Sequence, residues 1–147
     1  MPTIQSTYGA THARWYEGMV LNQEQATIVT RVAEDAEGIG FGKVCVKGTA
    51  ENQVVDSEAT VPFVGIAVAD PSQPGDTYAQ YANVAVMKKG VIVVTASEAV
   101  AYGDPVYYTP ASGVLSKTST SNTLIAGAIW ETARDSSNLA AVRLNTP

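Results

Sequence analysis

The sequence predicts an all-β protein, a small barrel or a jelly-roll-like sandwich with an extended N-terminal arm. Three observations carry that expectation. Short runs rich in β-branched residues recur between turn signals about every ten residues, the rhythm of barrels and sandwiches. No long stretch keeps an apolar 3.6-residue period. The nearest contender, Gln23 to Glu37, is filled by Thr27, Ile28, Val29, Thr30 and Val32, which favour a strand. The chain has 147 residues, 46% of them apolar, enough for one core without a disulfide or a metal.

Taken in order, residues 1–18 form the expected arm. Tyr8, Trp15 and Tyr16 stand there among Gly, Ala, Thr, His12 and Arg14. Aromatics and Arg are enriched at protein interfaces, so Tyr8, Arg14, Trp15 and Tyr16 are the candidate protein contacts. Trp15 and Tyr16 could equally cap the core. Residues 19–147 are expected to form one β domain. Thr27–Val32 reads as its first strand and Ile39–Lys47 as the second. Gly38, Gly40 and Gly42 mark a bulge or a close backbone approach there. Val61–Val68 is a strand that ends at the turn segment Asp70–Asp76. Tyr81–Met87 and Gly90–Thr95 read as a hairpin turning at Lys88-Lys89-Gly90. Val91–Val94 is continuously apolar, so both faces of that strand should be covered. Ser97–Ala101 is expected to be one helical turn. Val106–Thr109, Val114–Ser116, Leu124–Glu131 and Leu139–Leu144 complete the strands.

The chemistry-bearing residues are sparse. Nine basic residues stand against fourteen acidic ones, a net charge of −5. That balance argues against nucleic acid as a partner, because phosphate neutralisation needs clustered Lys and Arg. Lys88-Lys89 reads as a solvated turn. No apolar run approaches the ~18 residues of a membrane span, so no membrane partner is expected. The N-terminus lacks a basic-then-apolar export signal. Cys45 is the only cysteine and His12 the only histidine. A Cys/His zinc set cannot be assembled from them, and Cys45 in Lys43–Lys47 reads as a buried thiol. A Ser-His-Asp triad would have to use His12 in the arm, and no Gly-x-Ser-x-Gly elbow is present. Gly38-Ile39-Gly40-Phe41-Gly42 lacks the Lys-Ser/Thr and the helix of a phosphate loop. Glu34, Asp35 and Glu37 crowd one polar loop without calcium-loop spacing, and read as a solvated surface. The expectation is therefore no catalytic residue, no metal site and no cofactor.

The C-terminal half carries a more specific signal. It runs Gly90-Val91-Ile92-Val93-Val94, then Ala99-Val100-Ala101-Tyr102-Gly103-Asp104-Pro105-Val106-Tyr107-Tyr108. Gly113-Val114-Leu115 follows, then Ile125 to Ala133 and Ala140-Ala141-Val142-Arg143-Leu144. That succession, with Val64-Gly65-Ile66-Ala67 upstream, resembles the capsid-decoration or structural cement proteins of tailed bacteriophages. The resemblance covers roughly residues 60–147. It implies a barrel or jelly-roll-like protein on the outer face of the virion's icosahedral head, made in the host cytoplasm. Such a protein clamps neighbouring major capsid proteins, its implied partners, and pairs with itself as a dimer or trimer. The resemblance brings no catalytic residue with it. Acidity suits the outside of a shell, away from packaged DNA, and many weak repeated contacts give avidity.

Two other readings fit the residues. A carbohydrate- or receptor-binding β module of a fibre or adhesin would use the aromatics Trp15, Tyr16, Tyr78, Tyr81, Tyr107, Tyr108 and Trp130. An enzyme built on carboxylates would use Glu34, Asp35 and Glu37.

Overall fold

The computed structural model describes residues 15–56 and 62–145. Tyr8, His12 and Arg14 lie outside the described residues. Eleven strands occur among the described residues: β1 (Thr27–Ala33), β2 (Ile39–Gly40), β3 (Val44–Lys47), β4 (Gln53–Val55), β5 (Phe63–Ala67) and β6 (Thr77–Tyr78), then β7 (Asn83–Thr95), β8 (Pro105–Tyr108), β9 (Leu115–Ser116), β10 (Thr123–Trp130) and β11 (Leu139–Asn145).

β1, β4, β3, β5 and β7 close into a ring, because β7 pairs with both β5 and β1. β1 and β4 run parallel, and the other pairs are antiparallel. Of the two forms expected, the structure is therefore the barrel and not the jelly-roll-like sandwich. Closure gives every strand of this ring a partner on both sides. Inside it pack Ala33, Cys45, Val54, Ala67, Val84 and Val86, with Ile39, Phe41 and Tyr78 closing one end. The Tyr78 hydroxyl donates to the Val68 carbonyl, and its ring meets Phe41 edge-on at 5.2 Å.

β7 is the spine of the molecule, and here one expectation is corrected. Lys88-Lys89-Gly90 is not a hairpin turn: the strand runs unbroken for 13 residues. Its pairing with β1 slips between Thr27 and Ile28, which face Lys89 and Met87. One residue, Lys88, is therefore extra on β7, which is a β-bulge. Gly90, at φ 127°, supplies the backbone freedom beside it. An extra residue flips the strand's alternation. Val84 and Val86 point into the barrel, whereas Ile92 and Val94 join a second core. One strand thus serves two cores, and Val91–Val94 are all buried, as expected.

The second core lies beneath β7, β11, β10, β8 and β9, paired in that order. A bridge from Leu115 back to Ala96, just past β7, curls this sheet round on itself. Trp130, Tyr108, Ile125, Val142 and Leu144 fill it, against the outer faces of Val44, Val46 and Ile66 from the barrel. The Trp130 indole N–H donates to the Ser116 carbonyl at 3.3 Å, which meets the polar need of a fully buried indole. Gly65 lets β5 approach β7, since a Cβ there would lie 2.3 Å from the Met87 carbonyl oxygen.

A second correction concerns Ser97–Ala101, which forms bends rather than a helical turn. The Glu98 carboxylate accepts from Lys117 N–H and the Thr118 hydroxyl. The Asp104 carboxylate accepts from Ala101 N–H. The segment's polar groups are thus met by side chains and strand neighbours instead of by a helix. A third correction divides the expected strand Ile39–Lys47 into β2 and β3. Gly42, at φ 72°, turns the chain between them.

Candidate contact surface

No group of three or more His, Cys, Asp or Glu stands where it could hold a metal ion among the described residues. Cys45 is fully buried, and burial pushes its thiol pKa far up, away from nucleophilic thiolate.

The acidic loop divides into two arrangements. Glu34 accepts from the backbone N–H and hydroxyl of Thr49, and those bonds hold its carboxyl below the usual range. Asp35 meets Asp56, whose backbone N–H donates to Asp35 Oδ2 at 2.9 Å. Burial, then a side-chain hydrogen bond and the charge of Asp35, push the Asp56 carboxyl up to about 7. Glu37 lines the same shallow hollow. Glu34, Asp35 and Glu37 are therefore not one solvated patch. Asp56 gave no sequence signal, because it stands alone at the end of a three-residue strand whose pairing only the fold reveals.

The contact candidates that fall among the described residues are Trp15 and Tyr16. Trp15 is half-buried and Tyr16 is 59% exposed. Just beyond them Gly18 N–H donates to the Val93 carbonyl, and Val93 N–H to that of Met19. Those bonds fix this part of the chain along β7. Tyr16 stands at the rim of an open cleft of about 620 Å³, lined also by Phe41, Pro71 and Asp76. Glu17 and Lys43 pair across it at 2.8 Å. The opposite wall is the turn after β5, where Asp70 accepts from the N–H and hydroxyl of Ser72. The cleft therefore offers an aromatic rim, a short apolar floor, the Glu17–Lys43 ion pair and two further carboxylates, Asp70 and Asp76.

Elsewhere the exposed large apolar side chains are Ile28, Tyr81, Tyr102, Val114 and Leu124. Tyr102 projects from a turn closed by Asp104 N–H to the Ala101 carbonyl, with Gly103 at φ 91°. That turn is the Gly-Asp-Pro element of the sequence, so the motif is structural in the first instance.

Fold and surface together define a class: a small closed β-barrel, extended by a second curled sheet, that presents aromatic side chains on rigid turns. The comparisons narrow it. The family model described as "Structural cement protein (E217 gp24/Pam3 gp6)" matches residues 4–145, and the chain belongs to that family. A chain of the solved structure "The capsid of Myoviridae Phage XM1" has the same fold, with a TM-score of 0.79 at 18% identity. The match covers 99% of this chain and 98% of that one. No curated protein matches the chain. Family membership gives the protein a capsid-decorating, stabilising role. It favours neither the sugar-binding nor the carboxylate-enzyme reading.

Proposed function

We propose that the protein binds the outer surface of an icosahedral phage head and tightens contacts between neighbouring major capsid proteins, acting as a dimer or trimer. The family match over nearly the whole chain is the observation that carries this reading. A net charge of −5 supports the outer face, away from packaged DNA, and supports a role without nucleic acid. The cleft at Tyr16 supports a contact on the side where residues 15–18 meet the fold. The arm, with Tyr8, Arg14, Trp15 and Tyr16, then works beside a β domain of residues 19–147. The virion is the site of action, and the host cytoplasm the site of synthesis.

Co-sedimentation of the purified protein with expanded, undecorated heads tests the proposal. Saturable binding at a fixed copy number per shell is expected. A well-folded protein that stays in the supernatant at every concentration would refute it.

A further inference from the structure

Among the described residues, Tyr81 differs from the other exposed aromatics, Tyr16 and Tyr102, in its backbone. It stands in the turn between β6 and β7 at φ 65°, in the left-handed region. Ser121 and Asn138 also have positive φ. Asn is common in that region, but a bulky aromatic is an outlier there, because its Cβ crowds the backbone. Strain of this kind is ordinarily offset by packing of the side chain. Here the ring is 69% exposed, and its hydroxyl makes no hydrogen bond among the described residues. An outlier at the surface whose side chain is left unpacked points to function.

The turn is also rigid. Tyr81 N–H donates to the Ala33 carbonyl at 2.7 Å, Ala82 N–H to that of Ala79 at 3.0 Å, and Ala33 N–H to that of Ala82 at 3.0 Å. The Gln80 side-chain amide donates to the Glu34 carbonyl at 3.1 Å. The Glu34 carboxylate is fixed in turn by Thr49. The ring's mounting is thus set before any partner arrives, which lowers the ordering cost of binding. Through the Ala33 and Glu34 carbonyls the turn is bonded to the segment that continues as Glu34-Asp35, so acidic residues follow directly on the ring's mounting. The complementary site is apolar in its depth and basic at its rim.

We propose that Tyr81 is a preformed anchor that enters an apolar, basic-rimmed pocket on a major capsid subunit. This rests on the cement reading above. A second copy of the chain fits less well, since each copy carries a net charge of −5.

The test uses Tyr81→Asn and Tyr81→Gly, residues that accept left-handed backbone. Both variants are expected to melt no lower than the parent. Their affinity for undecorated heads should fall by about tenfold or more, as for truncation of an interface anchor. Binding within about twofold of a parent that itself binds heads would overturn the anchor while leaving the cement reading intact. A lower melting temperature would also overturn it, by making the ring a support of the fold. So would a changed sedimentation coefficient of the isolated variants, which would assign Tyr81 to self-association. A parent that fails to bind heads would remove the cement reading and the anchor together.

Discussion

Replacing Asp56 by asparagine should make the protein more stable in mild alkali and leave it nearly unchanged in acid. In the folded chain the Asp56 carboxyl keeps its proton to about pH 7, against a usual value of 3.8. Among the described residues the groups facing it are Asp35, Glu37 and the buried Cys45 thiol, all acidic. Between pH 3.8 and about 7 the folded form holds a proton that the unfolded chain has released. Stability therefore falls as pH rises through that window, and the Asp56 contribution is fully present only below it. Each pKa unit corresponds to about 1.4 kcal/mol, so the ceiling is about 4 kcal/mol. The residue keeps one side open to solvent, and screening reduces the expected loss to about 1–2 kcal/mol. The amide of the substituted side chain would mimic the protonated acid and still donate to Asp35. Urea melts of parent and Asp56→Asn at pH 4, 6 and 8 should diverge with rising pH, reaching a difference of about 1–2 kcal/mol at pH 8. Parallel curves, or a variant less stable at pH 8, would refute the shared-proton arrangement.

Three further outcomes follow from the packing. Gly65→Ala would set a Cβ 2.3 Å from the Met87 carbonyl oxygen; a loss of about 3 kcal/mol or failure to fold is expected, read by expression and thermal melting. Trp130→Ala empties the centre of the second core, and should cost about 3–5 kcal/mol in a denaturant titration. Cys45, fully buried with its thiol pKa raised, should react with a disulfide reagent only as fast as the chain opens. A prompt stoichiometric reaction of the native protein would contradict that burial.

Much of the fold is legible in the sequence. The strands expected at Thr27–Val32, Val106–Thr109, Leu124–Glu131 and Leu139–Leu144 lie within a residue of β1, β8, β10 and β11 at each end. β-branched residues and flanking turns mark them. β4 and β6 give no such signal. They are three and two residues long, and such short strands exist only through their partners. The Lys88-Lys89-Gly90 segment reads as a turn because a glycine after a polar pair marks turns and bulges alike. Only the register against β1 distinguishes the two. Ser97–Ala101 looks helical because two alanines and a glutamate favour helix locally. The bonds from Glu98 to Lys117 and Thr118 cross too much chain to be read from spacing.

Of the contact surface, Trp15 and Tyr16 are legible only as aromatics that could either meet a partner or cap the core; that Trp15 is half-buried and Tyr16 exposed is a property of the fold. The cleft beside Tyr16 is not legible, since β2, the turn that follows it and the segment between β5 and β6 converge only in three dimensions. In the sequence Tyr81 reads as the first residue of the strand Tyr81–Met87, whereas β7 begins at Asn83 and Tyr81 stands in the turn before it. Its left-handed backbone is a property of the turn imposed by the Ala33 and Ala79 carbonyls, and no local pattern encodes it.

A protein that cements a shell must do more than adhere to it, so the disruption temperature of expanded heads is the most direct measurement. Heads saturated with the protein should break open at a higher temperature than bare heads, with the gain growing with occupancy up to saturation. Heads that bind the full complement and yet break open at the temperature of bare ones would contradict a stabilising role.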